Sequence, residues 1–304
     1  MLHRQRAVIL VTHAGRPDVV ELARQVVAQL QAADARVYAP AEEVGPLGCA
    51  DVVPLPEPDE SGQVLIDELE PEFVVVLGGD GTFLRAAEYA HPSGAAMLGV
   101  NLGHVGFLAE TEPEMLTEAI DHLLNGTYRI EERLALQAAV FDPKQSREVR
   151  RTWALNEISL EKTRRERILE VAIGVDGHPL TSFGCDGILC ATPTGSTAYA
   201  FSAGGPVVWP QVEALLVVPN AAHALFARPL VVAPTSVVTL DVAPHDHDAI
   251  LAADGRRLIT VPAGHRVVIQ RDARPIRVAR FHTEDFADRL VAKFRLPTSG
   301  FRGL

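Results

Sequence analysis

"FVVVLGGDGTFLRAAE", residues 73–88, sets the architecture of the first half of the chain. Phe73 to Leu77 is an unbroken apolar run, as expected of a strand covered on both faces in a parallel sheet. The turn Gly78-Gly79-Asp80-Gly81-Thr82 follows, and then a helical pattern over "TFLRAAEYA", with a stop expected at His91-Pro92. A glycine turn from strand to helix gathers backbone N–H groups and the positive helix end in one place, which suits phosphate. Asp80 sits awkwardly there, because it repels an anion. The turn is no Walker A loop, since the chain has no Gly-Lys dipeptide, and it is not G-x-G-x-x-G. Two readings stand. Asp80 is incidental to a tight turn, or it takes the proton of a hydroxyl substrate while neighbouring N–H groups hold a phosphate donor.

The flanking segments alternate between strand and helix patterns. "RAVILV" (6–11) is β-branched, and Val19, Leu22, Val26, Val27 and Leu30 recur at helical spacing. "ARVYAP" reads as a second strand, "PLPEPDE" (54–60) as a loop, "AAMLGVN" (95–101) as a strand, and 112–126 as a helix ending at Gly126. This order predicts a doubly wound parallel sheet. Beyond Gly126 the segments are short, alternating and separated by turn signals such as Asp176-Gly177 and Asp254-Gly255, which predicts a mainly β region. One helical insert, "STAYAFSA", interrupts it. The expected division is 1–126, with a tail from about 276 to 304 docking back, and 127–275.

Composition narrows the function. The chain of 304 residues carries a net charge of −11, which argues against broad nucleic-acid binding. No apolar run approaches the ~20 residues of a membrane span, and the basic start reads as a first strand, not a signal peptide. Three cysteines, an odd and sparse set, suit a reducing cytoplasm.

Further motifs carry candidate chemistry. "TPTGSTAYAFSAGG" (192–205) crowds hydroxyls around Pro193 and Gly195. Ser196 is a candidate N-cap, and Ala198 and Ser202 share a helix face beside Tyr199. The plain alternative is a capped helix without further role. "ALNEISLE" (154–161) places Asn156 and Glu157 in an apolar strand, either as solvated edge residues or as groups presented to a sugar or base. Asp186 precedes a strand, where a turn role is the common one. In "VNLGHVGFLAE" (100–110), Gly103 and Gly106 allow close approach to a ligand or to the first loop, and His104 is a candidate contact. "PHDHD" (244–248) lacks a distant partner at zinc spacing and reads as a solvated hairpin loop. No G-x-S-x-G elbow occurs.

In order, GGDGTFLRAAE, NLGHVGFL, ALNE, CDGILCATPTGSTAYAFSAGGP and PNAAHALFARPLV resemble the NAD kinase family. The likeness runs from about Val74 to Pro229, and the tail RLVAKFRLPTSGFRG looks like the actinobacterial branch. GGDGT alone is shared with diacylglycerol and sphingosine kinases; TPTGSTAY together with Asn-Glu is far more specific. The resemblance implies an N-terminal doubly wound, Rossmann-like domain and a mainly β C-terminal domain of the NAD kinase/diacylglycerol kinase type. It implies transfer of a phosphoryl group to the 2′-hydroxyl of the adenosine ribose of NAD, giving NADP. ATP or polyphosphate would be the donor, Mg²⁺ or another divalent metal would assist, and the protein would be a homodimer or homotetramer.

Residue by residue, the resemblance makes Asp80 the proton acceptor and turns Gly78, Gly79, Gly81 and Thr82 toward phosphate. Asn156, Glu157, Asp186, Thr197, Ala198, Tyr199, Ser202 and Ala221 would line the NAD site with Asp80 and Gly81. Arg85 and Arg167 stand where relatives often carry basic contacts. Two departures are visible. Many relatives have Phe-Arg-Gly-Asp where this chain has Phe183-Gly184-Cys185-Asp186, and Asp-Gly-Gln where it has Asp254-Gly255-Arg256. Arg256 is a candidate replacement charge. No metal ligand is assigned. A lipid kinase sharing only GGDGT, and a non-catalytic nucleotide-binding regulator, are the competing functions. The retained Asp80, Asn156, Glu157 and Asp186 count against the second.

Overall fold

The computed structural model describes residues 5–13, 16–56, 69–102, 106–109, 113–145, 147–281 and 286–298. They form two compact units. The first takes the described residues as far as Glu132 and again from Ile276; the second is Arg133–Pro275.

The first unit opens with β1 (Ala7–Thr12), α1 (Pro17–Ala32), β2 (Arg36–Pro40), α2 (Ala41–Leu47) and β3 (Val53–Leu55). It continues through β4 (Phe73–Leu77), α3 (Asp80–Ser93), β5 (Ala96–Val100), a 3-10 turn (Pro113–Met115), α4 (Leu116–Asn125) and β6 (Arg129–Arg133). β4 is buried at all five positions. Fully buried Val, Leu or Phe side chains each contribute about 1.5–3 kcal/mol, so this strand is the centre of the unit's core. β1, β2, β3, β4 and β5 pair in parallel, and β1 lies between β2 and β4. The chain thus winds outward in one direction through β2 and β3, and in the other through β5. The switch falls between β1 and β4, and GGDGT follows the carboxyl end of β4, where open α/β sheets place their ligands.

The second unit holds β7 (Leu136–Asp142), β8 (Arg147–Ala154), β9 (Glu157–Lys162), β10 (Leu169–Val175), β11 (His178–Cys185) and β12 (Gly187–Ala191). A 3-10 turn (Thr194–Thr197) and a single helical turn, α5 (Tyr199–Ser202), lead to β13 (Leu215–Asn220) and β14 (Leu230–Val232). Then come β15 (Val238–Val242), β16 (Ala249–Ala253), β17 (Arg257–Val261) and β18 (Arg266–Arg271). Two six-stranded antiparallel sheets result, ordered β11-β10-β15-β18-β7-β8 and β14-β13-β12-β9-β16-β17. Val171, Leu240 and Ile269 of one sheet share a core with Ile158, Ile188 and Leu251 of the other. The chain then returns as β19 (Ile276–Arg280), which pairs in parallel with β5 and lies between β5 and β6, and ends in α6 (Phe286–Phe294).

Several details differ from the sequence reading. α3 starts at Asp80 and passes through His91-Pro92 to Ser93, closed by Gly94 at φ 69°. Pro92 lies in the last turn, where little remains of the hydrogen-bond ladder to break, and the Ser93 hydroxyl donates to Tyr89 O. α2 forms despite Gly45 and Pro46, and β3 occupies the start of the proline-rich loop. Pro54 is tolerated there because β3 is the edge strand of its sheet.

Candidate active site

In the first unit, Asp80 is the first residue of α3, with Gly79 as its N-cap. Its carboxylate accepts the N–H groups of Phe107 (3.2 Å) and Leu108 (3.1 Å). The second glycine loop therefore packs on the first. A Cβ on Gly106 would lie 2.4 Å from Asp80 Oδ1, so glycine is needed there for the approach. Gly78 serves the turn itself, because a Cβ there would meet Thr82 Oγ1 at 2.4 Å. Among the described residues, nothing lies within 4 Å of a Cβ on Gly79 or Gly81, so both face open space. The opening turn of α3 leaves N–H groups without intrahelical acceptors beside that space, which is a cradle for an anion. His104 and Gly103 lie outside the described residues.

Arg85 sits one and a half turns further along α3. Its guanidinium pairs with Glu42 (2.9 Å) and with Glu43, and it donates to Thr12 O. Glu43 is fully buried and also accepts the N–H and hydroxyl of Thr12. Burial holds its carboxyl above the usual range, partly opposed by Arg85. The network ties α2 and α3 to the carboxyl end of β1.

In the second unit, Asn156 is not inside a strand. It occupies the bend between β8 and β9, and Glu157 opens β9. Both are buried, at 7 % and 6 % exposure, which rules out solvated edge residues. The 3-10 segment is stitched onto this bend. Thr192 N–H donates to Asn156 O (2.9 Å), Thr192 Oγ1 to Leu155 O (2.6 Å), and Gly195 N–H to Thr192 Oγ1 (3.1 Å). A Cβ on Gly195 would fall 2.0 Å from Asn156 O. Thus TPTGS and Asn-Glu form one structure, and Gly195 is what lets them touch. Ser196 is not an N-cap. It is buried within the 3-10 turn, donates to Pro193 O and accepts Val208 N–H, while Ala198 precedes α5 without a side-chain cap.

Within this tightly bonded cluster, Asn156 Oδ1 and Glu157 Oε2 have no hydrogen-bond partner among the described residues. Buried polar atoms of that kind are rare and call for an explanation, and a ligand supplies one. Burial, with the Asp254 charge adding to it, pushes the Glu157 carboxyl up to about 8, against the pull of the Tyr199 N–H. Alternation along β9 sends Ile158 and Leu160 into the inter-sheet core. Glu157, Ser159 and Glu161 therefore share the opposite face. α5 packs on the same sheet, with Ala200 against Leu189 and Leu216. Tyr199 Oη accepts from Asn220 Nδ2 (3.2 Å). Thr197 and Ser202 bond the carbonyls of Thr194 and Tyr199. Asp186 stands at the far end of β9 and pairs with Lys162. Ala221 holds φ 49°, unusual for a residue with a Cβ. Arg167 and Arg256 are on the surface. Gly184 has Ile168 Cγ2 at 2.5 Å from a Cβ position, so an arginine there would have to displace it.

Sequence reasoning missed Asp254. Its side chain is wholly buried, and its carboxylate accepts Leu155 N–H (3.0 Å) and Asn156 N–H (2.7 Å) and pairs with Arg257 (2.8 Å). It missed Ser159 and Glu161 as well, although the I-S-L-E alternation signals them. Among the described residues, no three His, Cys, Asp or Glu side chains come together to hold a metal. His245 and Asp246 of the PHDHD loop bond Glu170 instead.

The chain is similar to known proteins along nearly its whole length. Residues 8–128 match the family model for the ATP-NAD kinase N-terminal domain, and residues 155–281 that for the C-terminal domain. NAD kinase 2 of Streptomyces avermitilis is 50 % identical over 99 % of this chain and 98 % of its own length. The NAD kinase of Thermobifida fusca is 48 % identical, covering 98 % and 92 %. Yeast NADH kinase complexed with NADH shares the fold, with a TM-score of 0.83 at 20 % identity over 98 % of this chain and 90 % of that one. An NAD kinase from Archaeoglobus fulgidus in complex with ATP has a TM-score of 0.69 at 26 % identity, covering 95 % and 98 %. With both family models matched in order and half-identical relatives along nearly the whole length, the chain belongs to the NAD kinase family.

Proposed function

We propose that the protein transfers the terminal phosphoryl group of ATP to the 2′-hydroxyl of the adenosine ribose of NAD, giving NADP and ADP. The observation that carries this reading is the buried Asn156–Glu157 bend, whose two unpartnered oxygens suit the hydroxyl and amine donors of an adenosine. Such groups are satisfied when the ligand brings the missing partners.

In this reading the ribose oxygen attacks the γ-phosphorus as its proton passes to Asp80. The bond from that phosphorus to the β-bridging oxygen breaks, and ADP leaves with the electron pair. Phe107 and Leu108 N–H groups fix the Asp80 carboxylate, leaving its remaining lone pairs for the proton. The open side of Gly79 and Gly81 receives the donor phosphates. Most of the rate then comes from positioning and charge stabilisation. Tyr199, Thr197, Ala198, Ser202, Asp186 and Ala221 form the remaining wall for the dinucleotide, with Arg85, Arg167 and Arg256 as further candidates for its phosphates.

A divalent metal such as Mg²⁺ belongs to this reading as a companion of the donor's phosphates and water, since the described residues form no metal cluster. Polyphosphate is an alternative donor. A homodimer or homotetramer is also part of the proposal, supported by the exposed apolar Leu225 and Phe226 ahead of β14. So is a cytoplasmic location, which suits three free cysteines. No described helix is long and apolar enough to cross a membrane. The test is a product assay with NAD and, in turn, ATP, a second nucleoside triphosphate and polyphosphate. NADP formation is expected; phosphorylation of diacylglycerol but not of NAD overturns the reading.

A further inference from the structure

The turn Asp254-Gly255 closes the hairpin of β16 and β17, with both residues at positive φ (52° and 64°) and Arg256 N–H bonded to Ala253 O. That is the geometry of a type I′ turn, and Asn-Gly fills it as well as Asp-Gly. Turn formation alone therefore does not call for a carboxylate. Yet the Asp254 carboxylate is completely buried, and each of its oxygens is used. Oδ1 takes Asn156 N–H and Oδ2 takes Leu155 N–H, while Arg257 Nη2 bonds Oδ2 and Trp153 O. The Arg257 guanidinium stacks on the Trp153 ring, 4.3 Å from its centroid. The backbone completes the clamp, because Asp254 N–H donates to Glu157 O (3.0 Å).

We propose that Asp254, held by Arg257, is a positioning residue that fixes the Leu155–Asn156–Glu157 bend so that Asn156 Oδ1 and Glu157 Oε2 point at the dinucleotide. Three consecutive residues of the bend are held from one side chain and its own backbone. The two side-chain oxygens of the bend, Asn156 Oδ1 and Glu157 Oε2, are left over without a partner among the described residues. A buried charge is costly unless paired and hydrogen-bonded, and here Arg257 and two N–H groups meet that need. The inference rests on the proposed NAD site. It adds that the site's shape depends on a turn 98 residues away in the chain.

The test is Asp254→Asn. The amide keeps the turn and nearly the same volume, but it can accept only one of the two N–H groups and leaves the other facing its NH₂. With a buried donor unpaired, KM for NAD is expected to rise about tenfold or more while KM for ATP stays within about twofold. Arg257→Lys keeps the charge and loses the planar guanidinium that stacks on Trp153 while its Nη2 bonds both Asp254 and Trp153 O. It should show the same split to a smaller extent, and it carries the test if Asp254→Asn does not fold. A general loss of structure would move both KM values and kcat together, and that result in folded protein overturns the inference. So does an unchanged KM for NAD in Asp254→Asn. A wild-type protein that neither binds nor phosphorylates NAD overturns instead the functional reading beneath it.

Discussion

The Asp80 loop and the Asn156–Glu157 bend present polar groups in opposite ways. Asp80 is partly buried, its carboxylate is already met by two amides, and among the described residues the glycines on either side of it open onto space. Asn156 and Glu157 are buried, bonded through their backbones, and left with orphaned side-chain oxygens. The first arrangement costs the empty protein little. The second leaves an unmet desolvation penalty of about 1–3 kcal/mol for each group until a ligand arrives. A loop whose carboxylate is met by amides and a bend whose side-chain oxygens are not are thus two different solutions within one chain.

The contrast is most sharply tested at Asp80. Asp80→Asn removes the proton acceptor yet keeps one oxygen for the loop amides. Steady-state rates should fall roughly a hundred- to ten-thousand-fold, with NAD affinity by calorimetry nearly unchanged. Wild-type turnover would end the proton-acceptor role. Gly195→Ala comes next, because its Cβ would be forced onto backbone atoms of Asn156. Thermal unfolding should report a loss of roughly 1–3 kcal/mol, accompanied by lost NAD binding. Retained affinity would separate TPTGS from the bend.

A third effect is pH-dependent. Glu157 has its folded pKa raised from 4.5 to about 8, so the unfolded chain holds fewer protons than the native one between those values. The stability of the ligand-free protein therefore falls with rising pH across that window. Melting temperatures of Glu157→Gln should fall less over the same range than those of the wild type; identical slopes would contradict the orphaned carboxyl. The smallest effect belongs to Lys162→Met. Lys162 and Asp186 are partly exposed, so the loss of stability should stay below about 1 kcal/mol in chemical denaturation.

What was legible in the sequence was local. The apolar run of β4, the glycine turn, the helix ending at Gly126 and the Asp-Gly turns each carry their cause within a few residues. The Asn156–Glu157 motif was visible as polar residues in an apolar context, but its burial was not, because the cover comes from Thr192 and Gly195. At 254–256 the sequence marks Arg256, which is exposed, whereas Asp254 reaches a bend 98 residues earlier. Arg85 reads as a basic contact, and nothing near it in the sequence announces that Glu42 and Glu43 engage it. Pairings across such separations follow from strand order, which periodicity does not encode.

The place of β19 between β5 and β6 bears on how the protein is made. A ribosome that has released the chain as far as Glu132 has delivered β1 to β5 and nearly all of β6, but not the strand between the last two. That strand follows some 140 residues later, after the whole second unit. The first sheet cannot close until then, and the edges of β5 and β6 wait unpaired, the condition in which nascent strands aggregate. β1 to β5 can pair with one another before then, but completion of the first sheet waits for the carboxyl-terminal part.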